Sequence, residues 1–125
     1  EVELAQHFNS FLKSYSVGYT FLESEYQQPS GLMSRYVMEN LKHQFVAKLE
    51  VLFLKNITNQ LIYRYNERVS TGSYQILDEK LSYDSPNYNI YLLINNILNT
   101  NYTETFGVPM PGRWFHVGVS FKTGF

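Results

Sequence analysis

Trp114-Phe115-His116-Val117-Gly118-Val119-Ser120-Phe121-Lys122 decides the fold class. Side chains of an extended chain alternate between two faces, so Phe115, Val117, Val119 and Phe121 share one face while Trp114, His116, Gly118, Ser120 and Lys122 share the other. One face is apolar and the other polar. The same alternation runs upstream. Tyr88, Ile90, Leu92 and Ile94 oppose Asn89, Tyr91, Leu93 and Asn95; Leu61, Tyr63 and Tyr65 oppose Gln60, Ile62, Arg64 and Asn66. Phe45, Ala47, Leu49, Val51 and Phe53 oppose Gln44, Val46, Lys48, Glu50 and Leu52, and Tyr15, Val17, Tyr19 and Phe21 oppose Ser14, Ser16, Gly18 and Thr20. Leu77, Leu81 and Tyr83 oppose Asp78, Lys80 and Ser82, with Glu79 breaking the pattern on the apolar side, and a fainter first segment sets Val2, Leu4 and Phe8 against Glu3, Ala5 and His7. The pattern predicts seven strands, near 1–12, 14–24, 36–54, 57–67, 74–84, 88–96 and 112–124.

The connections sort by length. Tight turns are expected around Leu12 to Ser14, at Lys55-Asn56, and at Ser85-Pro86-Asn87, where proline and asparagine suit the two central positions of a β-turn. The other three, Glu25 to Arg35, Arg68 to Ser73 and Ile97 to Pro111, are longer, and the two kinds alternate along the chain. In an up-and-down meander all tight turns then lie at one end and all long loops at the other, as in a transmembrane β-barrel with short periplasmic turns and long extracellular loops.

Composition narrows the classes. Ten Lys and Arg against eleven Asp and Glu leave no electrostatic footprint for nucleic acid. The absence of cysteine excludes a disulfide framework, a thiol nucleophile and a thiolate zinc site. No apolar run approaches the roughly 20 residues of a membrane-spanning helix. Eleven Tyr and nine Phe against one Trp form a tyrosine-biased aromatic set, and Tyr15, Tyr36, Tyr65, Tyr74, Tyr83, Tyr88 and Tyr102 fall near strand ends, where an interfacial girdle places them. The chain opens Glu-Val-Glu, with no signal peptide, and is expected to be a piece of a longer one.

Asn96-Ile97-Leu98-Asn99-Thr100-Asn101-Tyr102 resembles the N-[LI]-[FL]-N-x-x-Y box before the last extracellular loop of TonB-dependent outer-membrane receptors. Pro109-Met110-Pro111-Gly112-Arg113-Trp114-Phe115, followed by Gly118, is similar to that family's P-x-P-G-R segment leading into the final strand, and Leu77-Asp78 with Leu81 and Tyr83 resembles its penultimate hairpin. Val117, Val119, Phe121 and the terminal Phe125 are similar to the C-terminal signal read by the barrel assembly machinery, although Thr123 stands where a further hydrophobic residue is usual. The resemblance implies an all-β, antiparallel up-and-down transmembrane β-barrel segment, residues 1–125 supplying about seven strands of a barrel of about 22. The family's N-terminal plug and TonB-contacting box are not in this sequence. The implied function of the whole protein is active uptake of a scarce nutrient of the metal chelate, cobalamin or glycan class, across the outer membrane of a Gram-negative bacterium. The implied partners are outer-membrane lipid, the barrel assembly machinery, the small-molecule or glycan ligand, and the TonB complex through the missing N-terminal part. No cofactor and no metal are implied.

The resemblance gives Asn96, Asn99, Tyr102, Pro111, Gly112 and Arg113 a structural role, since asparagine amides fix loop starts and Pro-Gly supplies a rigid turn and a permissive residue. An apolar C-terminal strand offers an assembly factor a template for strand addition. Within the long loop, Tyr102, Thr103, Glu104 and Phe106 are the candidates for ligand contact, because aromatic and acidic groups together can stack and hydrogen-bond. Lys42, Lys48, Glu50, Arg64, Asp78, Lys80 and Lys122 are expected on the inner, polar face, with both signs available for pairing. Glu79, placed outward, costs about 2 kcal/mol or less towards a headgroup layer, and is expected there or turned inward by a bulge. No enzyme is indicated: His7, His43 and His116 sit on separate strands without ligand spacing, Asp78 and Asp84 form no catalytic pair, and no serine lies in a nucleophile elbow. Asn56-Ile57-Thr58 and Asn101-Tyr102-Thr103 match the glycosylation sequon, idle in this setting. The alternative is a soluble or secreted β-sandwich that binds a carbohydrate or peptide through aromatic loops; it requires Phe115, Val117, Val119 and Phe121 to be buried against a second sheet.

Overall fold

The computed structural model describes residues 1–23, 41–69, 72–105 and 108–122. Among them there is no helix. Seven long strands, β1 (Val2–His7), β2 (Leu12–Phe21), β3 (Leu41–Leu54), β4 (Ile57–Arg68), β5 (Gly72–Asp84), β6 (Tyr88–Asn95) and β9 (Trp114–Phe121), form one antiparallel sheet in that spatial order. A separate two-stranded ribbon, β7 (Thr103–Thr105) with β8 (Val108–Pro109), lies between β6 and β9 in sequence. Each long strand pairs with its neighbour in sequence, and β1 and β9 are the two edges of an open sheet.

Register carries the alternation across the whole sheet. Tyr15 pairs with Leu49, Leu49 with Leu61, Leu61 with Glu79, Glu79 with Ile94 and Ile94 with Phe115, so one transverse row crosses six strands on the apolar face. On the opposite face, Ser16 pairs with Lys48, Lys48 with Ile62 and Ile62 with Asp78. A slip of one residue in any pair would invert that strand, and none occurs within the rows. The apolar face has no covering layer among the described residues: Val117 is 67% exposed and Phe121 78%.

Several boundaries differ from the sequence expectation. The first turn lies at Asn9–Phe11, not at Leu12 to Ser14; the Phe8 amide donates to the Lys13 carbonyl at 2.7 Å, and Lys13 is absorbed as a bulge between Leu12 and Ser14. Asn9 and Ser10 are the turn formers, while Phe8 sits just beyond the end of β1 and rests on Tyr15, ring centroids 6.0 Å apart. The turns at Lys55-Asn56 and Ser85-Pro86-Asn87 form where expected, the latter closed by the Ser85 amide donating to the Tyr88 carbonyl at 2.8 Å. The loop expected from Ile97 to Pro111 holds the β7–β8 ribbon. The expected start of the third strand, with Tyr36, and the loop Glu25 to Arg35 lie outside the described residues, as do Phe106, Thr123 and Phe125.

Glu79 departs from its expectation. No bulge interrupts the pairing of β4 with β5, so its side chain stays on the apolar face, and it stands midway along the outward run from Tyr83 to Gln75 rather than at a rim. Asn59, two residues before Leu61, meets it diagonally and donates Nδ2–H to Glu79 Oε1 at 2.5 Å.

Candidate functional site

The densest packing lies on the polar side of the sheet. Strand β6 pairs with β5 only from Asp84 to Glu79, so residues 72–78 of β5 extend past it. The segment after β6 fills that space. The Ile97 amide continues the ladder by donating to the Leu77 carbonyl at 2.8 Å, and the Asn96 amide donates to Asp78 Oδ1 at the same distance. Tyr74, Ile76, Asp78, Asn66 and Asn96 are buried there, Ile76 at 1% exposure and Asn96 at 2%. Tyr74, Ile76 and Asp78 alternate onto the polar face, so this cluster is the reverse of a soluble sheet's core.

Two asparagines build the base of the loop. Asn96 and Asn99 both adopt left-handed backbone conformations, φ 52° each, which asparagine tolerates better than other non-glycine residues. The Asn96 side chain accepts the Thr100 amide at 2.9 Å and donates to the Thr100 carbonyl at 2.9 Å and the Pro111 carbonyl at 3.3 Å. Asn99 Oδ1 accepts the Arg113 amide at 2.9 Å, and Arg113 Nε donates to the Ile97 carbonyl at 2.9 Å. Gly112 is required by proximity, because a Cβ there would lie 2.7 Å from Asn99 Oδ1. The Asn-x-x-Asn and Pro-Gly-Arg stretches are therefore two halves of one clamp that closes the loop's base, and Asn96, Asn99, Pro111, Gly112 and Arg113 all contribute to it.

Above the clamp, Tyr102 stacks on Tyr74, ring centroids 4.8 Å apart at 28°, and its carbonyl accepts the Met110 amide at 2.9 Å. Arg68 Nε lies 3.4 Å from the Tyr74 hydroxyl. Burial raises the Tyr102 hydroxyl above its ordinary 10.0, and the neighbouring Glu104 carboxylate pushes the same way while Arg64 opposes. Of the four ligand candidates, Tyr102 is thus committed to the sheet, Thr103 and Glu104 belong to β7, and Phe106 lies outside the described residues. Below Tyr74, Arg64 pairs with Asp78 at 2.5 Å, so Asp78 serves both a guanidinium and the Asn96 amide.

The expected inner-face charges do include both signs, and the pairs are specific. Besides Arg64 with Asp78, Lys13 meets Glu50 at 3.8 Å and Lys122 meets Asp84 at 3.4 Å near the tight-turn end; at the other end Lys42, at the bulge between Leu41 and His43, meets Glu67 at 3.6 Å, a carboxylate that stands opposite His43 and so belongs to the apolar face. These three exposed pairs contribute little to stability. Lys80 lies 5.1 Å from the Tyr91 ring centroid, a cation–π geometry, and that ring lies across Gly118 so closely that a Cβ there would collide with it. Sequence reasoning missed this Lys80–Tyr91–Gly118 stack; the signal was a glycine inside a strand, a mark of close approach by another group.

His7 and His116 alternate onto the polar face, whereas His43 is on the apolar one, 2.7 Å by Nδ1 from the Tyr19 hydroxyl and with its ring tilted against Phe21, centroids 4.9 Å apart. Among the described residues no three His, Asp or Glu side chains gather as a metal site. In comparisons with known proteins, the chain matches no family model, no curated protein and no solved structure.

Proposed function

We propose that this chain is the C-terminal wall segment of a TonB-dependent outer-membrane transporter, a contiguous arc of about seven strands in a barrel of about 22. The carrying observation is the seven-stranded single-layer meander whose predominantly apolar face has no covering layer among the described residues. In water an apolar expanse of this kind is a liability, and soluble monomers rarely exceed a few hundred Å². Hydrocarbon removes the liability without any second protein layer. The sandwich alternative needs a second sheet over Phe115, Val117, Val119 and Phe121, and among the described residues the only other sheet is the β7–β8 ribbon.

Support for the particular family comes from the clamp. The two sequence stretches that resemble the family's boxes meet through Asn96, Asn99, Gly112 and Arg113, which gives their order and spacing a physical reason. In this reading the clamped loop is extracellular, the polar face lines the lumen, and β9 is the template read by the barrel assembly machinery. Transport of a metal chelate, cobalamin or glycan then belongs to the whole protein, with the TonB complex engaging its N-terminal part.

The test uses the full-length protein in its own membranes with single cysteines at Val117 and Ser120, which alternate across β9. A lipid-dissolved thiol reagent should label Val117→Cys and spare Ser120→Cys, and the purified protein should bind the periplasmic domain of TonB. Equal labelling of both positions by a water-soluble reagent would overturn the membrane placement; absence of TonB binding would overturn the family.

A further inference from the structure

We propose that the Asn59–Glu79 pair marks, on the outer face of the wall, the docking site of a membrane-embedded protein segment that presents a lysine or arginine head. The inference rests on the lipid-facing reading of that face.

The pair is placed by the sheet and not by chance exposure. Register holds without interruption from Ile57–Tyr83 to Arg68–Gly72, so neither residue can turn to the polar side without inverting its whole strand. Their neighbours along and across the strands are aliphatic: Leu61 and Ile94 flank Glu79, Val51 and Leu81 flank Asn59. Ionisable groups in such surroundings are expensive and mark function by default.

The geometry also states what is wanted. Asn59 supplies one hydrogen bond to Glu79 Oε1, while a carboxylate offers about four acceptor positions, so that single bond leaves most of its capacity unused. Glu79 is half-buried, and Asn59 is hydrogen-bonded to its Oε1. Acyl chains cannot satisfy that carboxylate, and a polar side chain in the membrane commonly serves as the glue between embedded segments. Charge complementarity selects a cationic donor. A second copy docking by the same face would bring Glu79 against Glu79, a like-charge contact, and the described outward positions around the pair offer no basic side chain in exchange.

The experiment places a photo-crosslinking amino acid at Leu77, on the same face and next to Glu79 along β5, in the full-length protein in native membranes, with the same group at Val117 as a control. The Val117 probe should capture lipid, which reports on the membrane placement independently. The Leu77 probe should capture one protein segment whose sequenced peptide carries a lysine or arginine. Capture should fall at least tenfold in Glu79→Leu and in the milder Glu79→Gln, which keeps hydrogen bonding but removes the charge, and a Glu79→Lys loss should be restored by a charge-reversed partner. Folding of each variant is checked by its heat-modifiable mobility on gels. Lipid adducts at both positions would overturn the docking site while leaving the barrel reading intact; a captured peptide without a basic residue, or one from a second copy, would overturn it as well. Failure of the Val117 probe to find lipid would overturn both.

Discussion

Asn99 Oδ1 accepts the backbone N–H of Arg113 at 2.9 Å, joining two points fourteen residues apart in sequence, and Gly112 stands between them because no Cβ fits beside that oxygen. The loop after β6 therefore leaves and re-enters the sheet through one closed gate. Its contacts to Asp78 and Tyr74 then hold it against the polar face.

Loss of the buried member of the gate is costly. Asn96→Ala removes the acceptor for the Thr100 amide and places alanine in a left-handed conformation, for an expected loss of about 2 to 4 kcal/mol. Asn96→Gly relieves the backbone strain but not the lost bonds, so it should be milder by about 1 kcal/mol. Urea unfolding of the full-length protein in vesicles measures the order; equal effects of the two substitutions would show that strain plays no part.

Asp78 is held to two partners at once, the Arg64 guanidinium and the Asn96 amide. Asp78→Asn keeps an acceptor for Asn96 and loses the charge, whereas Asp78→Leu strands both partners. The leucine variant is expected to lose about 3 kcal/mol and the asparagine variant roughly half as much, since Arg64 is partly solvated and retains water as a substitute. Hydrogen exchange at the Asn96 amide should accelerate in the leucine variant alone.

Gly118 and Tyr91 form a space-sharing pair. Gly118→Ala forces the ring aside and disrupts its contact with Lys80, costing about 1 to 3 kcal/mol. In a Tyr91→Ala background the same change should be nearly neutral. A double-mutant cycle reads the coupling, and additivity of the two substitutions would remove the collision as the cause.

The stack of Tyr102 on Tyr74 has a defined alkaline limit. Because the Tyr102 hydroxyl is raised above 10.0 in the folded chain, both folded and unfolded forms are protonated below about pH 10 and the contact is unaffected there. As pH rises through the raised value, the unfolded form ionises first and the stabilisation is lost. Tyrosinate absorbance of the wild type minus that of Tyr102→Phe should therefore rise later than free tyrosine; a difference curve at or below the free value would contradict the burial of that hydroxyl.

Parity was the most legible property of the sequence. Each of the long strands shows its two faces in alternation, and a period of 2 leaves no freedom once one face is apolar, so the register follows. The turns at Asn56 and Pro86 were legible from their residue types. The first turn was displaced because Phe8 and Leu12 extend the alternation past Asn9 and Ser10, and a bulge at Lys13 has no periodic signature. The β7–β8 ribbon was invisible for a different reason: strands of three and two residues are too short to express a period. The site divided likewise. Asn96, Asn99, Gly112 and Arg113 were named from their motif, but their mutual contacts span the loop and no local pattern encodes them. Ile76 was hidden by its place on the polar face, where only the returning loop makes it interior, and Tyr74, expected in an interfacial girdle, is buried there instead beneath Tyr102. Glu79 was displaced from its expected rim because alternation fixes a face and says nothing of height; its companion Asn59 is diagonal across two strands.

Among the described residues, the sheet keeps its tightly packed cluster on the hydrophilic side and leaves its hydrophobic side without a covering layer. Substitution tolerance should thus be inverted relative to a water-soluble domain. Exchanges among Val117, Val119, Ile90 or Leu92 and other aliphatic residues change no jigsaw fit, so these positions are free to drift in size while keeping their greasiness. Ile76, Asn66 and Asn96, on the side that a hydropathy profile would class as surface, are the ones where a single methyl group more or less is felt.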